Sequence, residues 1–208
     1  IPVCGLIGGT KDEGIPINEE CKDYTILEDN CSLEFTIKPA KTKEEWLNNI
    51  NFAKNYVKDT VLKPKNLIPK YVATCRFDPE DLNTEQAQHM GCSSSYNAWN
   101  FRQNEVDRSD YTLRTSSGHI HIGYDNPSVD TSIELVRAFD LFLGVPSILI
   151  DPDRERRKMY GKSGEYRFKK YGVEARCLSG YFFSSDELLS WVWDNTMKAI
   201  DFVNIGGI

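Results

Sequence analysis

Three short runs of this chain alternate apolar residues with residues that carry chemistry, at a period of two. In SGHIHIGY (117–124), an extended strand puts His119, His121 and Gly123 on one side and Ile120, Ile122 and Tyr124 on the other. YGVEARCLS (171–179) separates Gly172, Glu174 and Arg176 from Val173, Ala175 and Cys177 in the same way. NCSLEFTI (30–37) turns Glu34 away from Leu33 and Phe35. Strands of this kind bury one face and leave the other free, which predicts antiparallel sheets packed on one side.

Amphipathic helices are interposed. KTKEEWLNNINFAKNYVKDTVL carries the stripe Trp46, Ile50, Ala53, Val57 and Val61, with Thr42 and Glu45 as a capping box. VDTSIELVRAFDLFLG predicts a second helix ending at Gly144, and a capping box of Ser184 and Glu187 opens a last helix to about Val203. YVATCRF reads as a strand, as does the apolar VPSILID, which leads into a charged loop. Residues 5–18 read as a glycine-punctuated loop or short hairpin, and 78–100 as mostly loop. Strands in pairs with helices inserted predict an α+β fold.

The 208 residues, 40% of them hydrophobic, suit one compact domain. A net charge of −6 argues against broad nucleic-acid binding. No apolar run approaches the ~20 residues of a membrane span, so no membrane partner is expected. Six cysteines without a CxxC pair read as buried thiols in a reducing cytoplasm, the alternative being three bridges in a secreted protein. The opening IPVCGLIGG reads as the interior of a protein, with a segment expected upstream.

If the three alternating strands are neighbours, Glu34, His119, His121, Glu174 and Arg176 converge. Two imidazoles and two carboxylates hold a divalent metal, and an arginine beside them suits a phosphate or carboxylate. The plainer readings are a solvent-facing HxH and an ion pair within a sheet. The stretch DPDRERRKMYGKSGEYRFKKYG gathers Arg154, Arg156, Arg157, Lys158, Lys162, Arg167, Lys169 and Lys170 in an otherwise acidic protein. Such a run, punctuated by Gly161 and Gly164, suits a triphosphate, although a solvated loop has the same composition. Walker and GxGxxG loops are absent, and GCSSSYNAW lacks a nucleophile elbow.

The ordered set GGTK, DNCSLEFTIKPA, GC…YNAW, SGHIHIGY and RRKMYGKSGEYRFKKYGVEARCLS resembles the type-2 carboxylate–amine ligases. These are found largely in tailed phages and are relatives of glutamine synthetase and glutamate–cysteine ligase. The resemblance implies a curved, mainly antiparallel sheet backed by helices, with metal ligands on its concave face. It implies that ATP, with Mg2+ or Mn2+, phosphorylates a carboxylate and that an amine then attacks to form an amide. The substrates would be small-molecule or peptide carboxylates and amines, in the cytoplasm of a host if a phage encodes the chain. A homo-oligomer is left open.

By position, the resemblance makes Glu34, His119, His121 and Glu174 metal residues, with one histidine touching nucleotide or substrate as the alternative. It makes Arg157, Lys162, Arg167 and Lys169 phosphate-binding residues. It assigns Glu174 and Arg176 to catalysis, the arginine steadying the transferred phosphoryl group. Asp29 and Asn30 shape the amine pocket or the turn. The chain departs from the family pattern in three places. The sequence starts after the point where the family's acidic GxDPE strand is expected, Ser117 replaces a glycine, and Ser95 stands where aspartate is common. A non-catalytic protein on the same fold is the competing reading. A cupin-like metal enzyme is a third, and it would need His89 as a further ligand.

Overall fold

The computed structural model describes residues 1–10, 13–89, 95–106 and 109–207. It is a mixed helix and sheet fold whose three-stranded and four-stranded sheets pair antiparallel throughout. In chain order the elements are β1 (Ile15–Pro16), β2 (Thr25–Asp29), β3 (Ser32–Thr36), α1 (Lys43–Tyr56), β4 (Thr74–Arg76), α2 (Glu85–Gln88), β5 (Tyr96–Asn97), β6 (Leu113–Thr115), β7 (Ser117–Gly123), α3 (Val129–Phe139), α4 (Val145–Ile150), α5 (Arg156–Met159), β8 (Glu165–Lys169), β9 (Gly172–Ser179) and α6 (Asp186–Asn204). Two compact units emerge. The first comprises Ile1–Lys70, Arg76–Gly91 and Tyr111–Arg114, and the second Tyr71–Cys75, Cys92–Asp110 and Thr115–Ile208. Among the described residues no helix is long and apolar enough to cross a membrane.

The first unit is a three-stranded sheet, β1-β2-β3, against α1. The register pairs Ile26 with Phe35 and Glu28 with Leu33, so Ile26, Leu33 and Phe35 share the face that meets Ala53, Val57 and Val61. Thr42 caps α1 by accepting from the Glu45 N–H at 3.2 Å, as its sequence predicts. The reciprocal Glu45 bond goes to the Lys41 N–H rather than to Thr42. The helix runs on through a π-helical turn, Val57–Leu62, and stops where Asn66 takes a left-handed φ of 56°.

The second unit is a four-stranded sheet in the order β5-β8-β9-β7. Its apolar face carries Tyr166, Val173 and Ile122, which pack on Ile133 and Val136 of α3, with Ile200 and Val203 of α6 alongside. α3 is capped by Ser128, which accepts from the Thr131 N–H. It does not stop at Gly144, because a π-helical turn over Asp140–Gly144 leads directly into α4. The segment read as an apolar strand, VPSILI, is therefore helical. Pro146 sits in its first turn, at the junction with the π-helical turn. The last helix is capped by Ser185 rather than Ser184, since Gly180–Ser184 forms a 3-10 turn of its own. The charged segment after α4 also holds structure that its composition hides, namely α5 and β8.

Candidate active site

The face of the β5-β8-β9-β7 sheet turned away from α3 is built around Glu174. Register sets Arg167 of β8 opposite Glu174 on one side and His121 of β7 opposite it on the other. Alternation adds Lys169 and Arg176 to this face. Between Gly118 and Ile120 the register shifts by one residue, so Arg176 and Cys177 together oppose His119. A bulge of this kind re-aims side chains, and here it brings Arg176 back onto Glu174.

Glu174 is 2% exposed and accepts from three cations. Lys169 Nζ lies 2.7 Å from Oε2, Arg167 Nη1 lies 3.3 Å from Oε1, and Arg176 donates to the same oxygen from a fully buried guanidinium. His119 Nδ1 is 3.5 Å from Oε1. A second buried carboxylate, Glu165, accepts from the Gly161 and Lys162 N–H groups at 2.6 and 3.0 Å and from Ser95 Oγ at 2.7 Å. It also lies 3.7 Å from Arg176 Nε. Arg156, equally buried, donates to the carbonyls of Ser116, Cys177 and Leu178 and to Ser117 Oγ. Burial pushes its guanidinium down to about 10.

Burial is the main force on both histidines and holds each below its ordinary value. Arg176 adds to the effect at His119, and Glu174 opposes it at His121. Both rings are thereby neutral at pH 7, the form in which imidazole ligates a metal. Among the described residues, His119, His121 and Glu174 are the one group of three such side chains whose ligand atoms lie within 4.8 Å of one another. Two imidazoles and a carboxylate fit Mn2+ or Zn2+, and the carboxylate with waters fits Mg2+. The surroundings favour anions as well. Arg156, Arg167, Lys169 and Arg176 stand against Glu165 and Glu174, a surplus of two positive charges at a partly open surface.

Thus His119, His121, Arg167, Lys169, Glu174 and Arg176, all read from the sequence, lie together. Two others from the same reading, Arg157 and Lys162, have their charged ends on other partners. Arg157 donates to Ser147 Oγ at 2.8 Å and to the Asp153 carbonyl, and Lys162 Nζ donates to the Glu105 carbonyl at 2.8 Å. Asp29, Asn30 and Glu34 are in the first unit, where the β2–β3 register puts Glu34 across from Leu27, on the face that also carries Asp29. Asn30 takes the left-handed turn between the strands, with φ 55°. The buried carboxylate there is Glu28, which sequence reading passed over. It accepts from the Gly5, Ile7 and Gly8 N–H groups and from Gln86, bonds that outweigh burial and hold it below the usual carboxylate range. Cys92 lies outside the described residues, and Cys4, Cys21, Cys31, Cys75 and Cys177 are free thiols.

Two tyrosines also escaped the sequence reading. The guanidinium groups of Arg156 and Arg176 both stand over the Tyr160 ring, 5.3 and 4.8 Å from its centre, and its hydroxyl is 3.2 Å from His119 Nε2. Tyr171 is hydrogen-bonded to His121 Nδ1. Their one sequence signal is position: each closes a basic run just before a glycine, in MYGK and KYG.

The arrangement gathers a His, His and Glu group and several cations on one face of a sheet. Residues 100–192 match the family model described as Phage phiEco32-like COOH.NH2 ligase-type 2, the family that the ordered motifs resemble. The match takes in β6 to β9 and with them every residue of the Glu174 cluster. Its name marks a carboxylate–amine ligase. None of the curated proteins and none of the solved structures matches the chain.

Proposed function

We propose that the chain is an ATP-dependent carboxylate–amine ligase that uses Mg2+ or Mn2+ and proceeds through an acyl phosphate. The observation that carries this reading is the juxtaposition of two neutral imidazoles with a carboxylate already ringed by three cations. A sheet packed by helices on one face and lined by His, Glu and Arg on the other supports a glutamine-synthetase-like arrangement. Free thiols support a reducing, cytoplasmic setting.

In this reading Arg167 and Lys169 neutralise the triphosphate. Arg176 meets the charge that develops on the transferred phosphoryl group, held in place by Glu174 and Glu165, so that little reorganisation is needed as charge builds up. His119, His121 and Glu174 hold the divalent ion, which when bound spreads charge over phosphate oxygens. The carboxylate and amine are small molecules or peptides. Hydroxylamine tests the reaction because it intercepts an acyl phosphate as a hydroxamate. With Mg-ATP and a panel of amino-acid, dicarboxylate and peptide carboxylates, the account expects ADP and hydroxamate in equal amounts. It expects Lys169→Ala to lower the rate about 100-fold or more. ADP release without hydroxamate, or no turnover with any carboxylate while ATP binds, counts against it.

A further inference from the structure

Each histidine of the cluster has one ring nitrogen engaged by a tyrosine hydroxyl, and the two engagements are opposite. Tyr160 takes Nε2 of His119, and Tyr171 takes Nδ1 of His121. A nitrogen in a hydrogen bond to a hydroxyl has no lone pair left for a metal. We infer that Tyr160 and Tyr171 are positioning residues that make His119 present Nδ1, and His121 present Nε2, to a metal shared with Glu174. The inference rests on the metal reading above and adds to it which atoms bind and what selects them.

The geometry is consistent at His119, whose Nδ1 faces Glu174 Oε1 at 3.5 Å. A carboxylate only accepts, so in the metal-free protein the hydrogen sits on Nδ1 and Nε2 accepts from the Tyr160 hydroxyl. When Nδ1 becomes a ligand its hydrogen leaves, Nε2 takes one up, and Nε2–H donates to the Tyr160 oxygen. The ring stays neutral, with one hydrogen in both states, so His119 makes no net contribution to proton release. A hydroxyl serves both states because it donates and accepts. Phenylalanine would do neither. Tyr160 is also fixed in place: it is 6% exposed and has two guanidinium groups against its ring. A partner that orients a ligating histidine is worth about 10- to 100-fold in metal affinity.

The test is 15N spectroscopy of the full chain labelled at its three histidines (His89, His119, His121), with Zn2+ as a diamagnetic probe. Without metal, His119 is expected as the Nδ1–H tautomer, held by Glu174; Tyr160→Phe keeps that tautomer, moves the Nε2 signal toward that of a free acceptor and leaves His121 unchanged. With Zn2+, the bound-nitrogen shift is expected on Nδ1 of His119 and Nε2 of His121. Tyr160→Phe and Tyr171→Phe are each expected to weaken Zn2+ about 10- to 100-fold. An Nε2–H tautomer for metal-free His119, Zn2+ on the opposite nitrogens, or Phe variants that change neither the ring-nitrogen signals nor the affinity would overturn the inference. Zn2+ moving neither ring would instead remove the metal reading, and the metal-free Nε2 signal, compared with that of Tyr160→Phe, would still decide whether Tyr160 engages that nitrogen.

Discussion

Replacing Glu174 by Gln removes one charge from the centre of the cluster and almost no volume. The carboxylate is 2% exposed, and the cations it leaves are unequal. Arg176 is fully buried, whereas Arg167 and Lys169 are 21% and 33% exposed. Breaking a buried pair by removing one partner costs about 3–5 kcal/mol, because the remaining charge is uncompensated. Arg167 and Lys169 regain water, and their pairs are worth roughly 1 kcal/mol or less each. Glu165, 3.7 Å from Arg176 Nε, still offsets part of the loss there. The expected net cost is therefore about 3 kcal/mol, or roughly 6–12 °C in Tm for a chain of this length. Urea unfolding followed by tryptophan fluorescence reads it as a lower midpoint at unchanged slope. The same variant should gain metal-free affinity for inorganic tripolyphosphate, since the anion meets the same cations without Glu174. An unchanged or raised midpoint would refute the claim that Glu174 holds these cations together. Loss of stability without the gain in anion affinity would refute the claim that they face a ligand.

Gly161→Ala should cost about 3 kcal/mol or more, since φ is +70° and the new Cβ would lie 1.8 Å from Nη1 of buried Arg156. Gly206→Ala, at φ +74° with no atom within 4 Å, should cost only about 1 kcal/mol by the same denaturation assay. Ser95→Ala removes a 2.7 Å bond to a buried carboxylate and should cost about 1.5–3 kcal/mol, read as a shifted urea midpoint. His119 titrates below its unfolded value of 6.5, so between its folded pKa and 6.5 the unfolded chain binds more protons. Stability is then full above about pH 7 and falls as pH drops through 6.5. A Tm series from pH 8 to 5 should show this fall, with a shallower slope in His119→Gln.

The strands β7 and β9 were legible because one face of each packs on helices, and that burial demands the alternation read in HIHIG and GVEARC. That alternation also made His121 and Glu174 converge if their strands were neighbours, a condition that β7 and β9 meet. β8 was not legible. Arg167 and Lys169 alternate with Tyr166 and Phe168, but charge density suggested a loop, since a strand can hold those cations only with a partner such as Glu174 beside it. The helix Val145–Ile150 failed for another reason: a short apolar run has no period that separates strand from helix. Nor does composition distinguish buried Arg156, solvated by backbone carbonyls, from its neighbour Arg157.

The most direct test of the central claim is calorimetric titration of a non-hydrolysable ATP analogue into the protein with and without Mg2+ or Mn2+, beside His121→Ala. His121 lies at the exposed edge of the cluster, so its loss should leave the fold intact. The account predicts binding that depends on the metal and weakens at least 10-fold in the variant. Binding that is indifferent to metal and unchanged by His121→Ala, or no binding at any metal concentration, would contradict it.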